Sequence, residues 1–145
     1  MAGDEVGNDV VDLLDPDTDP ARDRDRFDAR VCGEAERRAL RESADPSRVR
    51  WALWAAKEAG YKLLRKRRPD TVFSPVRFEV ELDPAWIRAA HPDAVSCQGG
   101  VVHGPDRLDV SIAVRDHAVH AVASWPGADA GALLLGQIRL GARDA

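Results

Sequence analysis

Cysteine is scarce in this chain, long apolar runs and an excess of positive charge are missing, and each of these narrows what it can be. Only Cys32 and Cys97 carry thiols, and they show no metal-type spacing. Without an export signal they read as free thiols rather than as a disulfide or a zinc site. No apolar stretch is long enough to span a bilayer, and the opening "MAGDEVGNDV" lacks the basic-then-apolar order of a signal peptide. The expected location is therefore the cytoplasm, with no membrane partner. The 21 Lys and Arg against 25 Asp and Glu give a formal net charge of -4. That balance argues against nucleic acid, whose binding rests on neutralising phosphates with a basic surface. Internal repeats and low-complexity linkers are absent as well.

What remains is the profile of a folded domain. Apolar residues make up 44% and charged residues 32% of 145 residues, enough for one core but not for two independent ones. Residues 1–145 are expected to form a single domain of α+β class. "EVGNDVVDLL" predicts a short strand, ended at once by "DPDTDP", in which Asp9 shares a face with Val11 and Leu13. In the charged zone that follows, Phe27, Val31, Ala35 and Leu40 predict one or two amphipathic helices. Their outer side is crowded with arginines, among them Arg22, Arg26 and Arg30, but Asp23, Asp25, Asp28, Glu34 and Glu36 are interspersed. A mixed, solvated face accounts for that composition equally well.

"ADPS" starts a third element, with Asp45 as N-cap and Pro46 in the first turn, and Pro69 bounds its far end. This helix should run about 20 residues, or roughly 30 Å. Ala52, Leu53, Ala56, Gly60, Leu63 and Leu64 make a sufficient core-facing stripe. Trp51, Trp54 and Ala55 lie on another face with Glu58 and Lys62. "VRFEVELD" alternates, with Val76, Phe78, Val80 and Leu82 on one side, and "CQGGVVHGPDRLDVSIAV" and "HAVHAVASW" add further strands. A small, mainly antiparallel sheet on one long helix is the economical arrangement. The tail, residues 126–145, is expected to hold one more short element around Leu133 to Leu140.

Glu58 and Lys62 are not needed for folding. As an i,i+4 pair on a solvated face they would add a few tenths of a kcal/mol. Two features point beyond that. Tryptophans flank the pair, and Asp9 independently occupies an apolar strand face near a glycine. Isolated carboxylates backed by small residues suit a hard cation such as Mg²⁺, which takes one or two carboxylates and leaves room for water and phosphate oxygens. A lysine one turn from such a carboxylate would point at the same phosphates.

The chain resembles the 4′-phosphopantetheinyl transferases, most of all the short holo-acyl-carrier-protein synthase type. The resemblance rests on "VGNDVVDL", "RFDARVCGEAE", "WALWAAKEAGYKLL", "LDVSI" and "DHAVHAVAS", in that order over residues 5 to 124. Its specific pieces are Gly7-x-Asp9-x-Val11-Asp12 and Trp54-x-x-Lys57-Glu58-x-x-x-Lys62. The resemblance implies transfer of phosphopantetheine from coenzyme A to a carrier-protein serine, with Asp9 and Glu58 as Mg²⁺ ligands and Lys62 on phosphate. The base for the serine is left open between Glu58 and a water on the metal. The resemblance further implies docking of an acidic carrier protein on Arg22, Arg26 and Arg30. "RKRR" has a plain explanation, cations at a helix C-terminus, and an implied one, Arg65 and Lys66 on the 3′-phosphate of coenzyme A. Short members of the family are trimers with the active site between subunits, so a homo-oligomer is expected, with the exposed side of Trp51 and Trp54 as contact.

One motif departs from the pattern. Where the family carries Ser-Ile-Ser-His at the coenzyme A site, this chain reads Ser111, Ile112, Ala113, Val114, and His103, His117 and His120 stand nearby but out of place. Ser111 is therefore the one coenzyme A contact kept from that motif. The loss raises a second reading, a non-catalytic relative that binds a carrier protein or a sister subunit.

Overall fold

Five antiparallel strands, in the order β1-β5-β4-β3-β2, lie against one long helix. The computed structural model describes residues 5–89 and 96–127. Along the chain run β1 (Val6–Asp12), α1 (Asp25–Val31), α2 (Glu34–Glu42), α3 (Pro46–Arg67), β2 (Glu79–Leu82), α4 (Pro84–Arg88), β3 (Cys97–His103), β4 (Asp106–Arg115) and β5 (Ala118–Ser124). The α+β class and the packing of the sheet on the long helix agree with the sequence reading. The expected element around Leu133 to Leu140 lies outside the described residues.

Helix α3 begins as its sequence dictates. The Asp45 carboxylate accepts from the Arg48 amide at 3.1 Å and Pro46 occupies the first turn, while Arg65, Lys66 and Arg67 fill the last. Its inner side buries the predicted stripe against one face of the sheet: Gly7, Asp9 and Val11 of β1, then Val119, Ala121 and Ala123 of β5, then Val110, Ile112 and Val114 of β4. The strand register places these on a common face because side chains alternate with period 2. Two-residue turns join the last three strands. Asp116 and His117 both take positive φ, 52° and 61°, the geometry that matches hairpin twist.

Three local expectations are corrected. The strand read from Val76 begins only at Glu79, because Pro75 cannot donate a ladder hydrogen bond and opens a 3-10 turn over Pro75–Arg77. Val76 is accordingly exposed, while Phe78, Val80 and Leu82 are buried as predicted. On α2 the inward side carries Glu36 and Leu40, and Ala35 is exposed. Trp51 is buried: the tilted Phe27 ring of α1 packs on it at 5.3 Å and the Arg24 guanidinium covers it at the same distance. Only Trp54 keeps part of its surface, between Phe27 and Phe73. The proposed subunit contact therefore loses half of its basis.

Strand β1 approaches α3 more closely than any side chain would allow. A Cβ on Gly7 would sit 2.1 Å from the Ala59 carbonyl oxygen and 2.7 Å from the Leu63 amide nitrogen, both backbone atoms that cannot step aside. Gly7→Ala is expected to cost about 3 kcal/mol, at the upper end of overpacking penalties. Chemical denaturation would measure it, and a variant within 1 kcal/mol of the parent, by the usual ~1 kcal/mol mutational scale, would show that the contact is not as tight as described.

Candidate active site

The close approach at Gly7 sets everything next to it. Strand β1 runs antiparallel to α3, and the two elements stay in step. Two strand residues rise about 6.7 Å, and four helical residues about 6 Å. Lys66 therefore donates to the Val6 carbonyl at 2.6 Å and Lys62 to the Asn8 carbonyl at 3.0 Å. Among the described residues β1 is an edge strand, so these two lysines also satisfy carbonyls on a strand with one neighbour there. Lys62 additionally donates to Asp9 Oδ1 at 3.1 Å. One turn back from Lys62, Glu58 faces the same strand.

The anticipated Glu58–Lys62 surface pair is not what forms. Lys62 reaches across to Asp9, and Glu58 has no hydrogen-bond or ion-pair partner among the described residues. Both carboxylates are disturbed. Burial raises the Asp9 pKa, opposed by the hydrogen bond and charge of Lys62. Burial also raises Glu58, and the Asp9 carboxylate raises it further. Two neighbouring carboxylates that resist ionising together, one of them without a protein partner, fit a divalent cation. Among the described residues no third His, Cys, Asp or Glu joins them; two carboxylates by themselves would offer only hard oxygen donors.

The other expected contacts fall in different places. Lys66 stands on Val6, beside β1, whereas Arg65 lies over the Tyr61 ring, 5.3 Å from its centroid, and that ring packs on Phe73 and Phe78. Ser111 is fully buried on the sheet face turned away from α3, in register with Val122, and its hydroxyl lacks a partner among the described residues. It is not brought together with Asp9 and Glu58. Arg26 and Arg30 sit one turn apart on the exposed side of α1, unpaired among the described residues, and Arg22 precedes the helix 3.8 Å from Asp17. A cleft of about 400 Å³ between α1, α2 and the start of α3 holds Arg37, Arg41 and Arg50, but Asp28 and Glu34 already meet those charges. Neither Asp9 nor Glu58 lines it.

Nucleophilic cysteine chemistry is excluded. Burial and the Glu36 carboxylate push the Cys32 thiol up to about 12, and burial pushes Cys97 up to about 11, so neither forms a thiolate at neutral pH. His120 pairs across the sheet with Ala113 and Val10, and burial and then Arg115 lower its pKa, leaving it neutral. His103 stacks on Phe78 at 4.3 Å. His117 occupies the exposed hairpin turn.

The sequence reading missed the role of Lys57. Its ammonium is fully buried, 2.9 Å from Glu36, and donates to the Pro75 and Phe78 carbonyls. Glu36 in turn accepts from the Gly33 amide at 2.8 Å and the Val80 amide at 2.9 Å. One ion pair thus ties α2, α3 and the start of β2 together. The signal was available: Lys57 stands four residues after Leu53 and three before Gly60, inside the apolar stripe.

A sequence profile described as the 4′-phosphopantetheinyl transferase superfamily matches residues 5–115. The chain belongs to this superfamily, and phosphopantetheine transfer is the chemistry of the class. The match takes in β1, α3 and β4 and therefore Asp9, Glu58 and Lys62. No curated protein sequence matches the chain.

Two predictions follow from these charges. Lys57→Met would strand the Glu36 carboxylate in the core and should cost about 4 kcal/mol, whereas replacing both partners by apolar residues should cost less; a double-mutant cycle in urea measures both. Glu58 keeps its proton to higher pH folded than unfolded, where the ordinary value is 4.5. Between the two values the folded state holds more protons, so stability falls as pH rises through that window and stays reduced above it. Glu58→Gln should therefore stabilise the protein at pH 8, well above the ordinary carboxylate range, and the gain should shrink on acidification. A destabilised variant at pH 8 would contradict the reading.

Proposed function

We propose that the protein transfers the 4′-phosphopantetheine group of coenzyme A to a serine of an acyl or peptidyl carrier protein, as a holo-acyl-carrier-protein synthase. The observation that carries this reading is the convergence of Asp9, Glu58 and Lys62 from two distant segments. Asp9 and Glu58 would hold Mg²⁺, which when bound supplies positive charge to the diphosphate oxygens. The Lys62 ammonium, within reach of the same place, stabilises charge on the departing phosphate. Arg65 and Lys66, further along the same helix, offer cations to the 3′-phosphate. The nucleotide-binding assignment therefore rests on these two rather than on Ser111, which lies behind the sheet.

The reaction asks little covalent chemistry of the protein. The carrier serine oxygen forms a bond to the β-phosphorus, the bond to the α-phosphate breaks, and 3′,5′-ADP leaves. Glu58 has an oxygen without a protein partner and is the group to accept the serine proton. An acidic carrier protein meets the exposed Arg26 and Arg30 on α1, with Arg22 before it. A homo-oligomer, a trimer by resemblance, would complete the site. A fatty-acid or polyketide carrier in the cytoplasm is the expected setting.

A second reading has one specific observation behind it. Ala113 and Val114, where the family's serine and histidine are expected, are both buried apolar packing residues. A chain that lost those contacts could retain the fold and bind a carrier protein or sister subunit without turnover.

Mass spectrometry of apo acyl carrier protein incubated with the protein, coenzyme A and Mg²⁺ tests both. A gain of about 340 Da on the carrier, the mass of a phosphopantetheine arm left by phosphoryl transfer, is expected, and Glu58→Ala should abolish it. A folded protein that modifies none of several carriers would favour the non-catalytic relative.

A further inference from the structure

Lys62 stands where a cation is wanted. Its ammonium is 3.1 Å from Asp9 Oδ1 and is held there by a second bond, 3.0 Å to the Asn8 carbonyl. The Asp9 side chain is only 17% exposed, and the lysine already occupies one of its oxygens. An ammonium and a divalent cation a few ångströms apart repel each other, and one carboxylate cannot serve both fully. Lys62 itself is 43% exposed on a long, unbranched stem, so it is free to swing outward.

We propose that Lys62 is a removable substitute for the cation: it neutralises Asp9 in the ligand-free protein and leaves for a phosphate oxygen when a diphosphate arrives. The inference rests on the reading of Asp9 and Glu58 as the cation-holding pair. It identifies the true substrate as the complex of a divalent cation with a diphosphate, because free cation must compete with Lys62 whereas the complex brings the anion that draws Lys62 away. Lys66 is the internal comparison. It carries the same charge one turn further along α3 but donates to the Val6 carbonyl rather than to a carboxylate. Removing it changes the local charge equally and vacates nothing on Asp9.

Manganese binding, read from the electron paramagnetic resonance signal of free Mn²⁺, tests this on the full chain. Without nucleotide, Lys62→Met should bind Mn²⁺ about tenfold more tightly than the parent, and Lys66→Met should stay within about twofold. Lys62→Gln should repeat the result should the methionine variant fold poorly. Coenzyme A should tighten Mn²⁺ binding strongly in the parent and much less in Lys62→Met. Equal nucleotide-free affinity in the parent and Lys62→Met, or an equal gain in Lys66→Met, would overturn the substitute role without bearing on whether the parent protein modifies a carrier. Mn²⁺ binding that is absent in every variant with coenzyme A present, or that survives Asp9→Ala, would sink the cation-holding pair and the inference with it.

Discussion

The absence of a side chain at Gly7 is the constraint on which the site depends. Backbone atoms of Ala59 and Leu63 occupy the space a Cβ would need, so the edge strand lies directly on the long helix. At ordinary strand–helix spacing, Asp9 would stand off from α3 and Lys62 would reach solvent. Lying close, with strand and helix repeats in step, β1 delivers Asp9 to Lys62 and into the field of Glu58. A packing detail thereby becomes the geometry of a charged site.

The same helix uses three lysines in three ways, and burial decides between them. Lys57 points inward, and a fully buried ammonium is tolerable only because Glu36 and two carbonyls surround it. Lys66 borders the strand and meets a carbonyl. Lys62 lies between, exposed enough to move and close enough to pair with a carboxylate. Glu58, one residue beyond Lys57, turns outward by one residue's helical rotation and escapes the inner network. Adjacent residues of one motif thus divide between holding the fold and forming the site.

The altered motif on β4 has a similar geometric reading. Val114 is on the sheet face that packs on α3 and Ala113 on the opposite face beside Val122, and both are buried. Their replacement by apolar residues is at home in the two layers they enter. Asp9 and Glu58 belong to β1 and α3, separate elements, so the change in β4 leaves the carboxylates and their lysine in place.

Local signals carried much of this protein. Asp45 and Pro46 announced the start of α3, the apolar stripe its inner face, and period-2 alternation the buried side of β2, because caps and periodicity depend only on near neighbours in the chain. The types and spacing of Asp9, Glu58 and Lys62 marked a candidate cation and phosphate site. Sequence alone could not decide which charges pair. Glu36 looked like one carboxylate in a solvated mixture and is the buried partner of Lys57; Lys62 looked like the partner of Glu58 and bonds to Asp9; Trp51 looked exposed and lies under Phe27. Each of these is settled by contacts between segments tens of residues apart, where desolvation and close approach, not local spacing, select the partner.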